Sequence, residues 1–138
     1  MEHIPTVMSV MTPFPHAIAG DKTLVEARDM MIERKIHHLP VLREGRIEGL
    51  ISMRDIGVMG DNVEAWKDVP VASICAREPY VVEHSKSLLD AVVGVTGHHL
   101  TTILVTRAGK LVGILTTTDL CRLLADAIAR LHPPDAVA

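Results

Sequence analysis

Apolar residues along this chain recur first at helical spacing, then in dense strand-like runs, and the whole pattern comes twice. Leu24, Ala27 and Met31 define one helical face, and Leu88, Ala91 and Val95 define the same face further on. Thr23 precedes Glu26 by three residues and Ser87 precedes Asp90 likewise, the pattern of a capping box that satisfies orphan amides at a helix start. Two apolar strands follow each helix, at residues 39–43 and 46–52, then at 102–107 and 110–116. Glu44-Gly45 and Ala108-Gly109 interrupt them as hairpin turns, because glycine readily takes the positive φ such turns need. Ahead of each helix come a short apolar piece (7–11 or 71–75), a proline-containing turn and a brief strand near 16–19 or 80–83. A closing helix starts near Ser52 or Thr116. The second copy continues through Leu120, Leu123, Leu124 and Ile128 until Pro133-Pro134 stops it. The predicted order is β-α-β-β-α in each unit, a mixed α/β fold of the α+β kind.

An offset of 64 positions lays residues 7–56 over 71–120 without a gap, and eleven of these fifty pairs are identical. They include Val7 with Val71, Gly49 with Gly113 and Asp55 with Asp119. A unit of this size cannot bury its apolar face alone, so two copies predict an intramolecular pseudo-dimer. Residues 4–60 form the first unit, 61–70 a linker and 71–131 the second unit. Trp66, in the stretch 57–70 between the copies, is expected to pack on the core from a short helix.

The length of 138 residues suits one compact domain and is too short for a catalytic domain plus a regulatory one. Phe14, Trp66 and Tyr80 are the only aromatics, and the net charge is −3 with mixed signs. Neither stacking platforms nor a basic patch for nucleic acid is expected. No stretch reaches the roughly 18 apolar residues of a membrane span, and Met1-Glu2-His3-Ile4-Pro5 lacks the basic region followed by an apolar run that a leader would show. The expectation is a cytoplasmic protein without membrane insertion. Cys75 and Cys121 occupy unrelated repeat positions and read as reduced, buried thiols.

The chemistry concentrates at the end of each hairpin: Gly49-Leu50-Ile51-Ser52-Met53-Arg54-Asp55-Ile56 and Gly113-Ile114-Leu115-Thr116-Thr117-Thr118-Asp119-Leu120. A buried strand here delivers a hydroxyl and, three residues later, a carboxylate to the first turn of a helix. Two readings fit. Ser52 with Asp55 and Thr116 with Asp119 form capping boxes, or the helix start receives an anion while the carboxylate accepts ribose hydroxyls. The histidine doublets His37-His38 and His98-His99 do not coincide under the repeat offset, and neighbouring strand residues point to opposite faces, so no metal site is expected. Activated nucleophiles and paired acids are absent from the pattern, and an enzyme is not expected.

The tandem arrangement, the Gly-aliphatic-aliphatic-Ser/Thr-x-x-Asp-aliphatic ending, the strand entry His37-His38-Leu39-Pro40-Val41 and the opening Val10-Met11-Thr12-Pro13 resemble the cystathionine-β-synthase (CBS) domain family. The resemblance covers residues 4 to about 125. It implies a CBS pair, or Bateman module, whose two units pack their sheets together around two clefts. Such pairs take adenosine derivatives as regulatory ligands (AMP, ADP, ATP, S-adenosylmethionine, NAD) and act on a partner, with no obligatory cofactor. By the same matching, Asp55 and Asp119 hold ribose hydroxyls, and Ser52, Thr116, Arg54 and Thr118 face ribose or phosphate. Thr6 and Met11, and Pro70 and Cys75, lie near the adenine. Where the family often places arginine ahead of the Pro-Val strand, this chain has His37 and His38 in one unit and Thr101 and Thr102 in the other, with Leu104 in place of proline. The first unit is therefore the better phosphate site, since Arg54 is always charged. The resemblance also implies a homodimer through the closing helices, including residues 120–131. The rival expectation is a ligand-independent dimerising scaffold or a regulatory subunit of an enzyme or transporter.

Overall fold

The computed structural model describes residues 4–98 and 100–133. The chain forms two sheets and two cores, one centred on each unit. In the first, β2 (Ile18–Ala19) runs parallel to β3 (His38–Arg43), which pairs antiparallel with β4 (Arg46–Ser52). In the second, β5 (Tyr80–Glu83) runs parallel to β6 (Thr102–Arg107), which pairs antiparallel with β7 (Lys110–Thr116). Helices α2 (Leu24–Arg34) and α4 (Leu88–His98) cross between the parallel strands, and α3 (Met53–Gly57) and α5 (Thr117–Leu131) close the units.

Local chemistry explains these elements. Thr23 and Glu26 make both arms of the capping box of α2, whereas Asp90 N donates to Ser87 Oγ at 3.1 Å as the recorded arm at α4. Both hairpins turn through two residues of positive φ, Glu44 (51°) with Gly45 (77°) and Ala108 (51°) with Gly109 (78°), the type I′ geometry that matches strand twist. Each β-bulge falls at the same repeat position, between Val41 and Leu42 and between Val105 and Thr106.

The opening segments cross over. Residues 4–13, including α1 (Val7–Val10) and β1 (Thr12–Pro13), pack on the second unit, where Thr12 pairs with Ile114 and Pro13 with Gly113. Residues 69–76 pack on the first unit, where Leu50 and Ala76 exchange backbone bonds of 3.0 and 2.8 Å. Each of these straps also binds the helix start of its host. Val7 N donates to Lys86 O (3.0 Å) and Leu88 N to Pro5 O (2.7 Å). Their counterparts are Val71 N to Lys22 O (2.7 Å) and Leu24 N to Val69 O (3.0 Å). Val7 therefore belongs to the core of Val82, Ala91, Val95, Ile103, Val105 and Leu115, while Val71 and Cys75 belong to that of Leu24, Met31, Leu39, Val41 and Ile51.

Trp66 ends a 3-10 turn (Val63–Trp66) and is buried in the first core, as its position in the sequence suggested. Only one of the two thiols is buried. Cys75 is enclosed and burial pushes its thiol pKa up, but Cys121 is exposed because α5 has none of its residues fully covered. α5 ends at Leu131 with His132 as its cap; the Pro134 stop and the His98-His99 pairing fall outside the described side chains.

Candidate functional site

Where the two units meet, β4 and β7 approach each other and a cavity of about 1040 Å³ opens beside them. That is at the upper end of the range of ligand pockets, about 300–1,000 Å³. Both units line it at matching positions: Lys35 to His38 with Ser52 to Asp55 from the first, Leu100 to Thr102 with Thr116 to Asp119 from the second. Thr12 to His16, leaving the strap on β7, close the second half; Ala76, Glu78, Pro79 and Tyr80, leaving the strap on β4, close the first.

The hairpins bring the hydroxyl and carboxylate of each motif to the cavity wall, since the last residue of β4 or β7 is also the N-cap of the following helix. At the first, Ser52 N donates to Asp55 Oδ2 (2.9 Å) and Asp55 N to Ser52 Oγ (3.1 Å). At the second, Thr116 N donates to Asp119 Oδ2 (2.9 Å) and Asp119 N to Thr116 Oγ1 (3.3 Å). The capping reading is therefore satisfied at both sites. It uses only one oxygen of each carboxylate. Among the described residues no hydrogen bond engages Asp55 Oδ1, while Asp119 Oδ1 accepts a long bond of 3.4 Å from Arg122. Each half thus keeps acceptor capacity for a vicinal diol, which needs both lone-pair sites and a fixed carboxylate plane. The motif entries are pinned too, because Met53 N donates to His37 O (2.9 Å) and Thr117 N to Thr101 O (2.9 Å).

The two halves differ in charge. Lys35, His37, His38 and Arg54 share the cavity wall with Asp55 in the first, whereas Thr101, Thr102, Thr116, Thr117 and Thr118 share it with Asp119 in the second. His38 is half-buried, and burial holds its pKa below the usual histidine value; His37 adds to this and Asp55 opposes it. A lowered folded pKa means that the neutral form stabilises the fold above the unfolded value of about 6.5. That contribution is lost as pH falls from there toward the folded pKa. Between pH 7.5 and 5.5 the melting midpoint of the free protein is expected to fall further than that of His38→Asn, and equal curves would remove His38 as the cause. An anion in the first half reverses the sign, since it favours the protonated ring.

Ten of the fourteen residues singled out in the sequence stand on this wall: His37, His38, Ser52, Arg54, Asp55, Thr101, Thr102, Thr116, Thr118 and Asp119. Thr6, Met11, Pro70 and Cys75 do not. They belong to the straps, where Thr6 bridges to Ser87 and Pro70 to Thr23, Met11 covers Gly113 and Cys75 lies against Gly49. Phe14, His16, Lys35, Glu78 and Tyr80 line the cavity without having been expected there. Among the described residues no group of three His, Cys, Asp or Glu is placed to hold a metal ion, and no helix is long and apolar enough to cross a membrane.

A doubly repeated unit with a shared inter-unit cleft defines the class, and the comparisons agree. The family model for the CBS domain matches residues 7–56 and 71–126, and the chain belongs to that family as a tandem pair. It is similar to the CBS domain-containing protein YhcV of Bacillus subtilis, 24% identical over 115 residues that make up 83% of this chain and 82% of YhcV. It also matches the zinc metalloprotease MJ0392 of Methanocaldococcus jannaschii, 24% identical over 84% of this chain but only 31% of that one. Among solved structures, CBSX2 in complex with AMP superposes with a TM-score of 0.76 at 26% identity, over 88% of this chain and 97% of that one.

Proposed function

We propose that this CBS pair is a non-catalytic sensor of adenosine nucleotides, taking AMP, ADP or ATP in the cleft between units 4–60 and 71–131, which residues 61–70 join. The observation that carries the reading is the pair of capped carboxylates, Asp55 and Asp119, facing one cavity from two equivalent hairpins. In this reading Asp55 and Asp119 accept ribose hydroxyls, Ser52 and Thr118 contribute hydroxyl donors, and Thr116, whose own proton goes to Asp119 Oδ2 (3.0 Å), faces the ligand as an acceptor. Arg54, with His37 and His38, receives phosphate in the first half. The AMP complex of CBSX2 supports the ligand class. S-adenosylmethionine and NAD share the adenosine and belong to the same test.

The response passes to a partner or to a second copy of the chain. Leu124, Ile128 and Leu131 on α5, exposed at 60%, 51% and 77%, suit a helical contact of that kind. A bound nucleotide touches both units and so favours one arrangement of them over another, which is the only way it can act on a distant surface. The protein would do this in the cytoplasm.

The test is the melting midpoint with AMP, ADP, ATP, NAD and S-adenosylmethionine. A ligand at about 100 times its dissociation constant adds about 2.7 kcal/mol, hence several degrees. Asp55→Asn and Asp119→Asn keep a cap acceptor, so either loses the shift only where its half binds the ligand. Should none of the five compounds move the midpoint, the ligand-independent scaffold or regulatory subunit replaces the sensor.

A further inference from the structure

Phe14 holds a backbone conformation that phenylalanine disfavours. Among the described residues four non-glycine positions have positive φ: Phe14 (48°), Lys35 (57°), Glu44 (51°) and Ala108 (51°). Local structure requires three of them. Lys35 is the left-handed C-cap of α2, and Glu44 and Ala108 are the first central residues of the type I′ turns. Phe14 has no such reason. It precedes Pro15, a placement that steers a residue toward extended backbone. Glu78 stands 64 residues on, also before a proline, and does not share the positive φ. A bulky side chain at positive φ is an outlier, and such strain is found where surroundings fix it, most often at ligand sites.

The surroundings that fix it are backbone. Phe14 N donates to Val112 O at 3.0 Å, directly after the Thr12–Ile114 and Pro13–Gly113 pairs. Packing of the ring contributes nothing, because Phe14 is 86% exposed, more than any other large apolar residue described. It nevertheless lines the cleft, in the loop that closes the second half. That half offers hydroxyls and Asp119, and its own unit brings no lysine or arginine to the wall. A ligand held there must draw its affinity from ribose and base more than from phosphate.

We infer that Phe14 is held out over the second half of the cleft as the stacking face for the base of a nucleoside whose ribose engages Asp119. The inference rests on the nucleotide-sensor reading above and adds to it a specificity residue in the less charged half. An aromatic face suits any flat heteroaromatic base, and stacking of this kind changes affinity by about tenfold or more on truncation to alanine.

Calorimetric titration with adenosine, AMP and ribose 5-phosphate tests it on the wild type, Phe14→Ala, Phe14→Trp and Phe14→Asn, with Asp119→Asn to identify the half. Phe14→Ala should weaken adenosine and AMP about tenfold or more and leave ribose 5-phosphate unchanged. Phe14→Trp should retain binding and show indole fluorescence quenched by adenosine. Phe14→Asn should bind as weakly as Phe14→Ala yet raise the midpoint of the free protein by about 2–6 °C, since asparagine tolerates positive φ. Adenosine affinity within twofold of wild type in Phe14→Ala overturns the stacking role alone, as does an equal loss for ribose 5-phosphate. A wild type that binds none of the adenosine compounds overturns the sensor reading and this inference with it.

Discussion

Gly49→Ala is expected to cost about 3 kcal/mol of stability, while the repeat-equivalent Gly113→Ala costs about 1 kcal/mol. A Cβ at Gly49 would overlap the Ala76 carbonyl oxygen and lie 2.7 Å from Cys75 Sγ. The carbonyl is backbone, fixed by the two bonds between Leu50 and Ala76, so the strap itself must move and those bonds lengthen. A Cβ at Gly113 meets instead the thioether of Met11, an unbranched side chain that can swing aside. Urea unfolding of the three proteins, followed by circular dichroism, measures both costs. Equal losses, or a Gly49→Ala loss below 1 kcal/mol, would mean that strap and sheet are not in the contact described. The functional side is direct, because Ala76 lies on the cleft wall next to Glu78.

Trp66→Ala carries the other large effect, a loss of about 3–5 kcal/mol. The indole is 6% exposed among Leu24, Ala27, Met31 and Val71, and Arg28 Cζ lies 5.8 Å from its ring centroid. Removing it takes away the largest apolar surface that ties residues 57–70 to the first unit. Trp66→Phe is expected to cost less than about 1.5 kcal/mol. It keeps an aromatic face under Arg28, and the Nε1–H it deletes is buried with no acceptor among the described residues. Leaving such a donor unpaired is itself unfavourable, so its removal offsets lost volume. The same unfolding experiment decides. A Trp66→Phe loss as large as that of Trp66→Ala would show that the indole nitrogen makes a bond the geometry does not display.

The parts of this fold that rest on short-range chemistry were readable from the chain: the repeat, the helix faces, the capping boxes of α2, α3 and α5, and both hairpin turns. Leu24, Ala27 and Met31 pack as their spacing implied, and Asp55 and Asp119 reach a common wall because each follows a strand by three residues. The exchange of straps was not readable. Val7 and Val71 are the same residue in the same local pattern, and either would fill either core; only the direction the chain takes after the linker decides. For that reason Thr6, Met11, Pro70 and Cys75, assigned to a ligand by their place in the motif, turn out to face glycines and helix starts of the opposite unit. The further cleft residues lie at the ends of elements and in the loops beside them, such as Lys35 at the cap of α2, Tyr80 at the start of β5 and Phe14 after β1. Pro13-Phe14-Pro15 reads as punctuation, and nothing in its composition says that the ring between the prolines stays in solvent.

A single unit of this kind on its own chain would lack an edge of its sheet and part of its core until a second copy supplied them. Its folding would then depend on concentration, with the translational entropy of meeting a partner charged against every molecule. Fusion through residues 57–70 replaces that encounter with a local concentration set by tether length, of millimolar order for a short flexible link. The paired state thereby becomes independent of how much protein the cell makes.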